Sequence, residues 1–484
     1  MTIQERIEGD ASLNDCGDEQ PTIFARATAE GEGAIGIVRL SGTRAIGTIG
    51  RLFVKPNGKP RKKWKSYKAH HGFLIEPASG RRLDEVLVLF LPAKQSLTGE
   101  DVVEIQCHGG PSVMRAILGL LSREGLQPAQ PGEFTRRGFL NGRLSLDQAE
   151  AILDLVKARS EEAALATIET LSGRLRTRIR ELREKALALL GEAVAQIEFG
   201  EEGELGLDEE SLESRGNDLK AALEKLGAGQ ERARLLREGI RIVLAGSPNT
   251  GKSSLMNAVL CCDRSIVTEV PGTTRDTIEE TLCYRGLSFV FVDTAGLQES
   301  SDLVETLGME RTRRALEGAD LILLLLDLTR PITEREVELA LELARRKRPV
   351  VIVPNKGDVA CVQIEDELAK LEWPAGHTIP ATAPISALTG AGIEGLLGRL
   401  HELVTSQLIP PSREPLVWNE RHWSCLEKAK AALEGFLEGL NQRLPLDVGL
   451  IDLDEMTRQL GLITGEVVTD DILEEIFSKF CIGK

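Results

Sequence analysis

Residues 246–253 read GSPNTGKS and decide the fold of the segment in which they lie. They match the pattern G-x-x-x-x-G-K-[ST], a loop whose backbone N–H groups cradle nucleotide phosphates. The apolar run IRIVLA at 240–245 predicts a buried strand before the loop, and SLMNAV at 254–259 predicts the first turns of a helix after it. This context predicts a phosphate-binding site, and the loop at 246–251 is called the P-loop below.

Four further motifs follow the P-loop in the order of a GTP-binding domain: GTTRD at 272–276, DTAG at 293–296, NKGD at 355–358 and SAL at 386–388. The second and third of these end the strands predicted over 288–292 and 350–353. Asp358 can accept two hydrogen bonds, one from guanine N1–H and one from the exocyclic amine. Adenine lacks this donor pair, so a carboxylate left without it would be costly. The five motifs together indicate a Ras-like P-loop GTPase domain.

The residues predicted to bind the nucleotide lie in these motifs. Asp293 is expected near a magnesium ion and the N–H of Gly296 near the γ-phosphate, while the N–H groups of 386–388 close the base pocket. The full set is Asn249, Thr250, Gly251, Lys252, Ser253, Ser254, Thr273, Thr274, Asp293, Thr294, Ala295, Gly296, Asn355, Lys356, Asp358, Ser386, Ala387 and Leu388.

The position after the DTAG glycine bears on catalysis. Ras-like enzymes carry a glutamine there to orient the attacking water, whereas this chain has Leu297, which cannot hydrogen-bond. Glu305 is a candidate for orienting that water. Composition alone favours another interpretation, in which Glu305 is a carboxylate at a helix N-terminus that the helix dipole stabilises. Asn249 can offer its amide oxygen to a monovalent cation or can simply form a turn with Pro248, and both interpretations stay open.

Composition narrows the class of protein. The chain has 484 residues, which suggests about three domains, and no apolar run approaches the ~18 residues of a membrane span. Its first 20 residues are polar and acidic, lack the apolar core of a secretory signal, and are expected to be a disordered lead. Eight cysteines without a C-x-x-C pair or metal-ligand spacing favour a reduced, cytoplasmic protein without a zinc site.

The charge is unevenly distributed. A net charge of −16 argues against a broad surface that coats nucleic acid. Residues 51–68 nevertheless carry eight basic residues and no acidic one, with Trp64 and Tyr67 interleaved, which suits either an RNA backbone or, slightly favoured, a solvated loop between strands. Residues 198–213 carry eight acidic residues and no basic one, and are interpreted as a solvated linker that can also dock a basic partner.

Pattern changes along the chain predict its organisation. Short apolar strands at 35–40, 72–75, 86–91 and 102–106, with a helix at 111–123, predict an N-terminal α/β domain over 21–141. Helical periodicity follows from 145 to 199, with a second helix over 208–237, and it resumes at 418–440, 447–460 and 470–480. We therefore predict a GTPase domain, 239–406, inserted between two halves of a helical domain, 142–238 and 407–484.

Three motifs outside the GTPase set identify a resemblance. They are PGEFTRRGFLNGR at 131–143 running into DQAEA at 147–151, SLTGED at 96–101 with CHGG at 107–110, and FCIGK at 480–484. Together they resemble the MnmE (TrmE) family of tRNA modification GTPases over residues 21–484. The resemblance implies a multidomain α/β plus α fold, with an N-terminal domain similar to tetrahydrofolate-binding domains, an all-helical central domain and an inserted Era/TrmE-like GTPase domain.

The resemblance also implies ligands and roles. A formyl- or methylene-tetrahydrofolate derivative would be bound by Arg39, Glu104, Arg143 and Lys484. The family commonly has lysine where this chain has Arg143, which keeps the positive charge but replaces a point charge with a planar fork. Cys481, in the same tail, is more often inert than nucleophilic. GTP or GDP would bind with magnesium on Ser253 and Thr274. Glu305 would be the catalytic glutamate, and potassium would be held by Asn249, Thr268, Val270 and Thr273.

The implied function is potassium-dependent GTP hydrolysis coupled to wobble-uridine modification of tRNA. The chain would act as a homodimer with the flavoprotein MnmG (GidA), in a heterotetramer or larger complex, and yield 5-carboxymethylaminomethyl or aminomethyl uridine. Two alternatives have different uses for the same motifs. An Era-like switch GTPase would carry no one-carbon chemistry, and a folate-dependent aminomethyl transferase with a regulatory GTPase would need neither tRNA nor a partner.

Overall fold

The computed structural model describes residues 20–199, 209–262, 279–293, 313–346, 348–359, 368, 380–410 and 414–483. These residues form two compact units. One unit runs to Leu153 and resumes at Gly461, and the other is Asp154–Leu460. The predicted lead, residues 1–20, lies outside the described residues except for Gln20.

A mixed sheet forms the N-terminal unit. Its strands within the described residues are β1 (Ile23–Arg26), β2 (Ile35–Ser41), β3 (Phe53–Val54), β4 (Ala69–Ile75), β5 (Arg82–Leu91), β6 (Val102–His108) and β7 (Gln127–Pro128). They lie in the order β3-β4-β5-β6-β2-β1-β7, and neighbours are antiparallel except β1 and β7. The four strands expected from the sequence are confirmed, and each is longer than its apolar run.

Helices α1 (Ala45–Leu52) and α2 (Pro111–Arg123) pack on one face of this sheet, in one buried cluster with Phe24 of β1. Helix α3 (Glu133–Leu140) packs on the opposite face, where its Phe134 meets Ile23 and Ala25 of β1. Helix α4 (Leu146–Lys157) follows in the chain. The predicted helix at 111–123 is confirmed to the residue, because Pro111 occupies its first turn and its apolar side chains repeat every three to four positions. Ile117 and Leu121 of α2 pack in one buried cluster with Val38 and Ile105 from the sheet.

A buried ion network holds α3 against the sheet. Arg137, 4% exposed, donates from Nη1 to both carboxylate oxygens of Glu100 at 3.1 Å. Its Nη2 donates to Glu133 at 2.7 Å and to the carbonyl of Pro21 at 2.9 Å. Ser41 of β2 donates to Glu100 at 2.7 Å. The 131–143 motif is thus held in place by Arg137, whose charge is neutralised by Glu100 and Glu133.

The second unit begins with helices α5 (Glu161–Leu171), α6 (Arg174–Phe199), α7 (Glu209–Gly227) and α8 (Gln230–Glu238). The helical pattern at 145–199 is divided into α4, α5 and α6. Ser160 caps the start of α5, and Gly173, with φ +83°, follows its end. The single helix predicted over 208–237 is wrong, because Gly227 and Gly229 interrupt it where helix propensity is lowest.

A second sheet follows, with strands β8 (Ile240–Ala245), β9 (Glu279–Tyr284), β10 (Leu287–Asp293), β11 (Leu321–Asp327) and β12 (Val350–Asn355) among the described residues. Their order is β12-β11-β8-β10-β9, and β9 alone of these runs antiparallel to its neighbour. Helices α9 (Lys252–Cys262) and α11 (Ile393–Leu403) cover one face, and α10 (Glu334–Ala344) covers the other. The strands predicted at 240–245, 288–292 and 350–353 are confirmed.

Parallel strands bring their carboxyl ends to one edge of this sheet. In the register, Asp293 pairs with Leu244, and Asp327 pairs with Asn355. The segments leaving β8, β10, β11 and β12 therefore emerge side by side, which is where α/β sheets bind their ligands.

The chain ends with α12 (Glu420–Asn441), α13 (Leu446–Thr464) and α14 (Asp470–Ser478). Helix α12 follows the second sheet in the sequence and packs on α7, which precedes that sheet. Lys220 of α7 lies 3.0 Å from Glu434 of α12, and Lys430 of α12 lies 3.8 Å from Glu224 of α7. Helix α14 lies in the N-terminal unit. Its Phe477 backbone comes within 2.8 Å of where a Cβ on Gly132 would be.

The Arg137 network yields a stability prediction. Replacing Arg137 by methionine keeps the volume but leaves two mostly buried carboxylates without their cation. We expect the free energy of unfolding to fall by about 2–4 kcal/mol, somewhat less than for a fully buried pair because Glu100 and Glu133 retain some solvent contact. Urea denaturation followed by fluorescence measures it.

The neighbouring Arg136 is exposed and supplies the matched control. Its replacement by methionine should change stability by no more than about 0.5 kcal/mol. Equal stability of both variants would contradict the structural role of Arg137.

A candidate nucleotide-binding site

The P-loop backbone depends on two glycines. Gly246 has φ +144° and Gly251 has φ +94°, values that side chains rarely adopt. A Cβ on Gly246 would lie 2.6 Å from the carbonyl oxygen of Leu325, and one on Gly251 would lie 2.3 Å from Nδ2 of Asn355. Asn249, with φ +64°, has one of the residue types that tolerate this region. The loop is thereby held against the ends of β11 and β12.

Lys252 bends back over the P-loop from the first turn of α9. Its ammonium donates to the carbonyl oxygens of Gly246 and Ser247, each at 2.9 Å. Burial lowers the pKa of Lys252, and the nearby carboxylate of Asp293 opposes that shift. The arrangement places a partly desolvated cation beside the loop amides, where it can neutralise a phosphate.

Ser253 and Asp293 form an oxygen pair at the same edge. The Ser253 hydroxyl donates to Oδ2 of Asp293 at 2.7 Å, and Asp293 is buried at the end of β10. Hydroxyl and carboxylate oxygens are the ligands that magnesium accepts, alone or through water. Their chemistry and proximity fit a magnesium site.

Asn355 connects the P-loop to the predicted base pocket. Its side-chain amide donates to the carbonyl of Thr250 at 2.8 Å, and its Oδ1 accepts from the N–H of Ala387 at 3.0 Å. Asn355 is 2% exposed, so both bonds are shielded from water. One side chain therefore fixes the distance between two motifs that the chain separates widely.

The other residues predicted to border the base differ in exposure. Lys356 has φ +67° and its ammonium lies 2.6 Å from Oδ2 of Asp327. Burial raises the pKa of Asp327, but the hydrogen bonds from Lys356 and Thr329 outweigh it and hold the pKa below its usual value. Asp358 is exposed, as is Leu388 at 85%. The predicted base-binding residues thus combine a buried Asn355 with an exposed Asp358 and Leu388.

Glu336 is a buried carboxylate that the sequence analysis missed. It is 2% exposed and accepts from Arg330 at 2.8 and 2.9 Å and from the N–H of Thr333 at 3.0 Å. Burial raises its pKa, but the bonds from Arg330, Thr333 and the P-loop residue Ser247 lower it overall. The signal was available, because TERE at 333–336 is a capping-box pattern at the start of α10.

The N-terminal unit brings part of the predicted folate set together. Arg39 and Glu104 pair across β2 and β6, with Nε of Arg39 2.9 Å from Oε1 of Glu104. Nη1 of Arg39 donates to the carbonyl of Gly483 at 3.4 Å, so the C-terminal tail reaches this pair. Arg143 instead donates from Nε to the carbonyl of Ser96 at 3.1 Å. Among the described residues no ion pair or hydrogen bond joins Arg143 to Arg39 or Glu104.

Several predicted site residues lie outside the described residues. They are Thr268, Val270, Thr273, Thr274, Thr294, Ala295, Gly296, Glu305 and Lys484. Of the helices that are described, none combines the length and apolar composition needed to cross a bilayer.

The P-loop geometry yields a binding prediction. Gly251→Ala would introduce backbone strain and a clash with Asn355, and we expect the affinity for a fluorescent GTP analogue to fall by about tenfold or more. Gly395→Ala in α11 is the control, because a Cβ there would meet open space. Unchanged affinity in Gly251→Ala would contradict the predicted role of the P-loop.

Comparison with known proteins agrees with the motifs. A model of the TrmE N-terminal domain matches residues 22–143, and a model of the MnmE helical domain matches residues 146–481. The tRNA modification GTPase MnmE of Moorella thermoacetica is 43% identical over 96% of this chain and 99% of its own. That of Carboxydothermus hydrogenoformans is 40% identical over 96% of this chain and 100% of its own.

Among solved structures, Aquifex aeolicus Era is 26% identical over 40% of this chain and 66% of that one, with a TM-score of 0.28, below the level at which two folds are called alike. The family assignment rests on the sequence matches, which span nearly the whole of both chains. The chain belongs to the MnmE family of tRNA modification GTPases.

Proposed function

We propose that this GTP hydrolase uses potassium-dependent hydrolysis to drive modification of the tRNA wobble uridine with a tetrahydrofolate one-carbon unit. It would act in the cytoplasm as a homodimer, together with the flavoprotein MnmG, and yield 5-carboxymethylaminomethyl or aminomethyl uridine. The observation that carries the proposal is the meeting of Arg39, Glu104 and the Gly483 backbone. A switch GTPase without one-carbon chemistry has no use for it.

The nucleotide would lie along the carboxyl edge of the second sheet. The P-loop amides and the Lys252 ammonium would hold its phosphates, since the loop already directs that cation across its own carbonyls. Asp358 would select guanine, and the N–H groups of Ser386, Ala387 and Leu388 would border the base. The Asn355 bridge keeps these two halves in register.

Magnesium would be held by Ser253 and Thr274, with Asp293 close by. The ion would supply positive charge to the β- and γ-phosphate oxygens when bound. The contribution of the chain is to hold Ser253 and Asp293 at hydrogen-bond distance from each other. Their preorganisation lowers the cost of assembling the site.

Hydrolysis needs a group to orient water and a charge to stabilise the transition state. Leu297 can do neither, so we assign the water to Glu305. A potassium ion on Asn249, Thr268, Val270 and Thr273 would supply the charge that an arginine finger supplies in other GTPases. Asn249 fits this role, because its side chain is exposed and makes no hydrogen bond within the described residues.

The folate derivative would bind beside β2 and β6. The Glu104 carboxylate uses Oε1 for Arg39, and its second oxygen can accept from the N–H donors of a pterin ring. Arg39 and the terminal Lys484 would add positive charge for the acidic end of the ligand. Arg143 would contribute through its two Nη groups while its Nε donates to the carbonyl of Ser96.

Potassium dependence is the first test. Wild-type turnover of GTP should be about tenfold or more faster in potassium than in sodium at equal ionic strength. Asn249→Gly removes the amide oxygen without straining the positive φ, and it should keep only the sodium rate. Steady-state phosphate release measures both.

Glu305→Ala separates the two roles. It should be slow in both salts, because the water is misplaced whichever cation is present, whereas both variants should bind GTP within about threefold of wild type. Equal wild-type rates in potassium and sodium would sink the potassium assignment and favour an ordinary switch GTPase.

Folate binding is tested on Glu104. Glu104→Gln keeps the shape but removes the charged acceptor, so the Kd for 5-formyltetrahydrofolate should rise by about tenfold or more in calorimetric titrations. GTP turnover should stay unchanged, because the substitution lies in the other unit.

Glu124→Gln is the matched control, since Glu124 pairs with Arg51 at 3.0 Å in the same unit and carries no predicted ligand. Full affinity in Glu104→Gln, or an equal loss in Glu124→Gln, would reject the assignment of the pocket.

A further inference from the structure

The segment between β3 and β4 is the most basic part of the chain. Residues 55–68, called the basic loop here, contain no aspartate or glutamate in a protein of net charge −16. Their cationic side chains are Lys55, Lys59, Arg61, Lys62, Lys63, Lys65 and Lys68. Such a segment stands out because its charge opposes that of the whole molecule.

The basic loop is anchored to the sheet. The N–H of Tyr67 donates to the carbonyl of Phe90 in β5 at 3.0 Å. The Trp64 ring packs on Phe53 with centroids 5.3 Å apart, and meets the buried ring of His70 edge-on at 5.3 Å. These contacts fix the backbone from beneath and leave the long cationic side chains at the surface.

Among the residues that the structure describes, the cations of the basic loop have no carboxylate partner. Lys59, Lys62, Lys63, Lys65 and Lys68 are exposed, and within the described ranges none forms an ion pair. Exposed cations elsewhere commonly do, as in the Arg123–Glu76, Arg399–Glu402 and Lys479–Glu475 pairs. Like charges held together without counter-charge repel one another, and a polyanion relieves that repulsion.

The pKa of His70 is affected by the positive charges of the basic loop. Burial lowers its pKa, a hydrogen bond to the Lys65 backbone opposes this, and the positive charges of Arg61, Lys65 and Lys68 lower the pKa further.

An aromatic ring lies among these cations. Tyr67 is 52% exposed, and its hydroxyl donates to the carbonyl of Gln95 at 2.6 Å, which restrains the ring at the surface. Arg61 places its guanidinium 5.7 Å from the centroid of Trp64. Exposed rings interleaved with cations suit nucleic acid, because bases stack on the rings while phosphates contact the cations.

We propose that the basic loop is a docking surface for the phosphate backbone of tRNA. The inference rests on the tRNA-directed activity stated above and adds where the RNA is held. RNA is favoured over an acidic protein because an acidic protein would satisfy the lysines but would leave the exposed Tyr67 ring without a stacking partner.

The test compares two triple variants of the full-length chain. One changes Lys62, Lys63 and Lys65 to glutamine. The other changes Arg123, Arg399 and Lys479 to glutamine, which removes the same charge from exposed sites that have carboxylate partners. The probe is a fluorescein-labelled tRNA transcript with an unmodified wobble uridine, and anisotropy gives its Kd between about 50 and 200 mM salt.

The basic-loop variant should bind tRNA more weakly by about tenfold or more. The slope of log Kd against log salt concentration should decrease by about 2 to 3, because each lost phosphate contact releases about one counterion fewer on binding. The control variant should keep the wild-type slope. Tyr67→Leu should weaken binding several-fold without changing the slope, because it removes stacking but no charge.

Equal slopes for the two triple variants, or no tRNA binding by the wild type at low salt, would overturn the proposal. Binding of polyglutamate that is lost in the basic-loop variant while tRNA binding persists would assign the surface to an acidic protein instead. GTP turnover and 5-formyltetrahydrofolate affinity, measured on the same variants, should stay at wild-type values. Their absence in the wild type would contradict the proposed function, independently of where RNA docks.

Discussion

The candidate nucleotide site depends on one buried amide. Asn355, at the end of β12, donates to the carbonyl of Thr250 and accepts from the N–H of Ala387, and water is excluded from both bonds. A buried amide that lost either partner would carry the cost of an unsatisfied polar group. Asn355 therefore ties the P-loop to the end of β12 and to the loop that contains Ala387. Gly251 fits closely against the same Asn355 side chain, which leaves that side chain little freedom to move.

Two ion networks in the N-terminal unit show how the same residue types serve different ends. Arg137 is almost fully buried, and its hydrogen bonds go to Glu100, Glu133 and the backbone of Pro21. The pair of Arg39 and Glu104 is partly exposed, and one carboxylate oxygen has no arginine partner. The Arg137 network uses its hydrogen-bonding groups within the fold, whereas the Arg39–Glu104 pair keeps hydrogen-bonding groups that can contact a ligand. The two arginines carry the same charge. Their burial and the number of their hydrogen bonds within the protein distinguish the structural residue from the candidate binding residue.

Local structure was predictable where the pattern is local. Strand β8 and helix α2 match their predicted bounds because an apolar run with defined flanks specifies each of them. The prediction of a single helix over 208–237 was wrong. The apolar periodicity continues through Gly227 and Gly229, but glycine has a low helix propensity and the helix is interrupted there. Glu336 was missed although its capping box is a local pattern, because its contact with the P-loop depends on where α10 packs.

The sequence by itself determined the family, the P-loop and the two glycines that the loop requires, and it predicted the guanine-selecting role of Asp358, because each follows from residue types at short spacing. Tertiary structure decided which distant groups meet. It placed Asn355 between Thr250 and Ala387, joined the Gly483 carbonyl to Arg39 across 444 positions, and gave the lysines of the basic loop no carboxylate partner in the described part of the chain. Such contacts depend on chain topology and on the packing of whole elements, which no short stretch of sequence encodes.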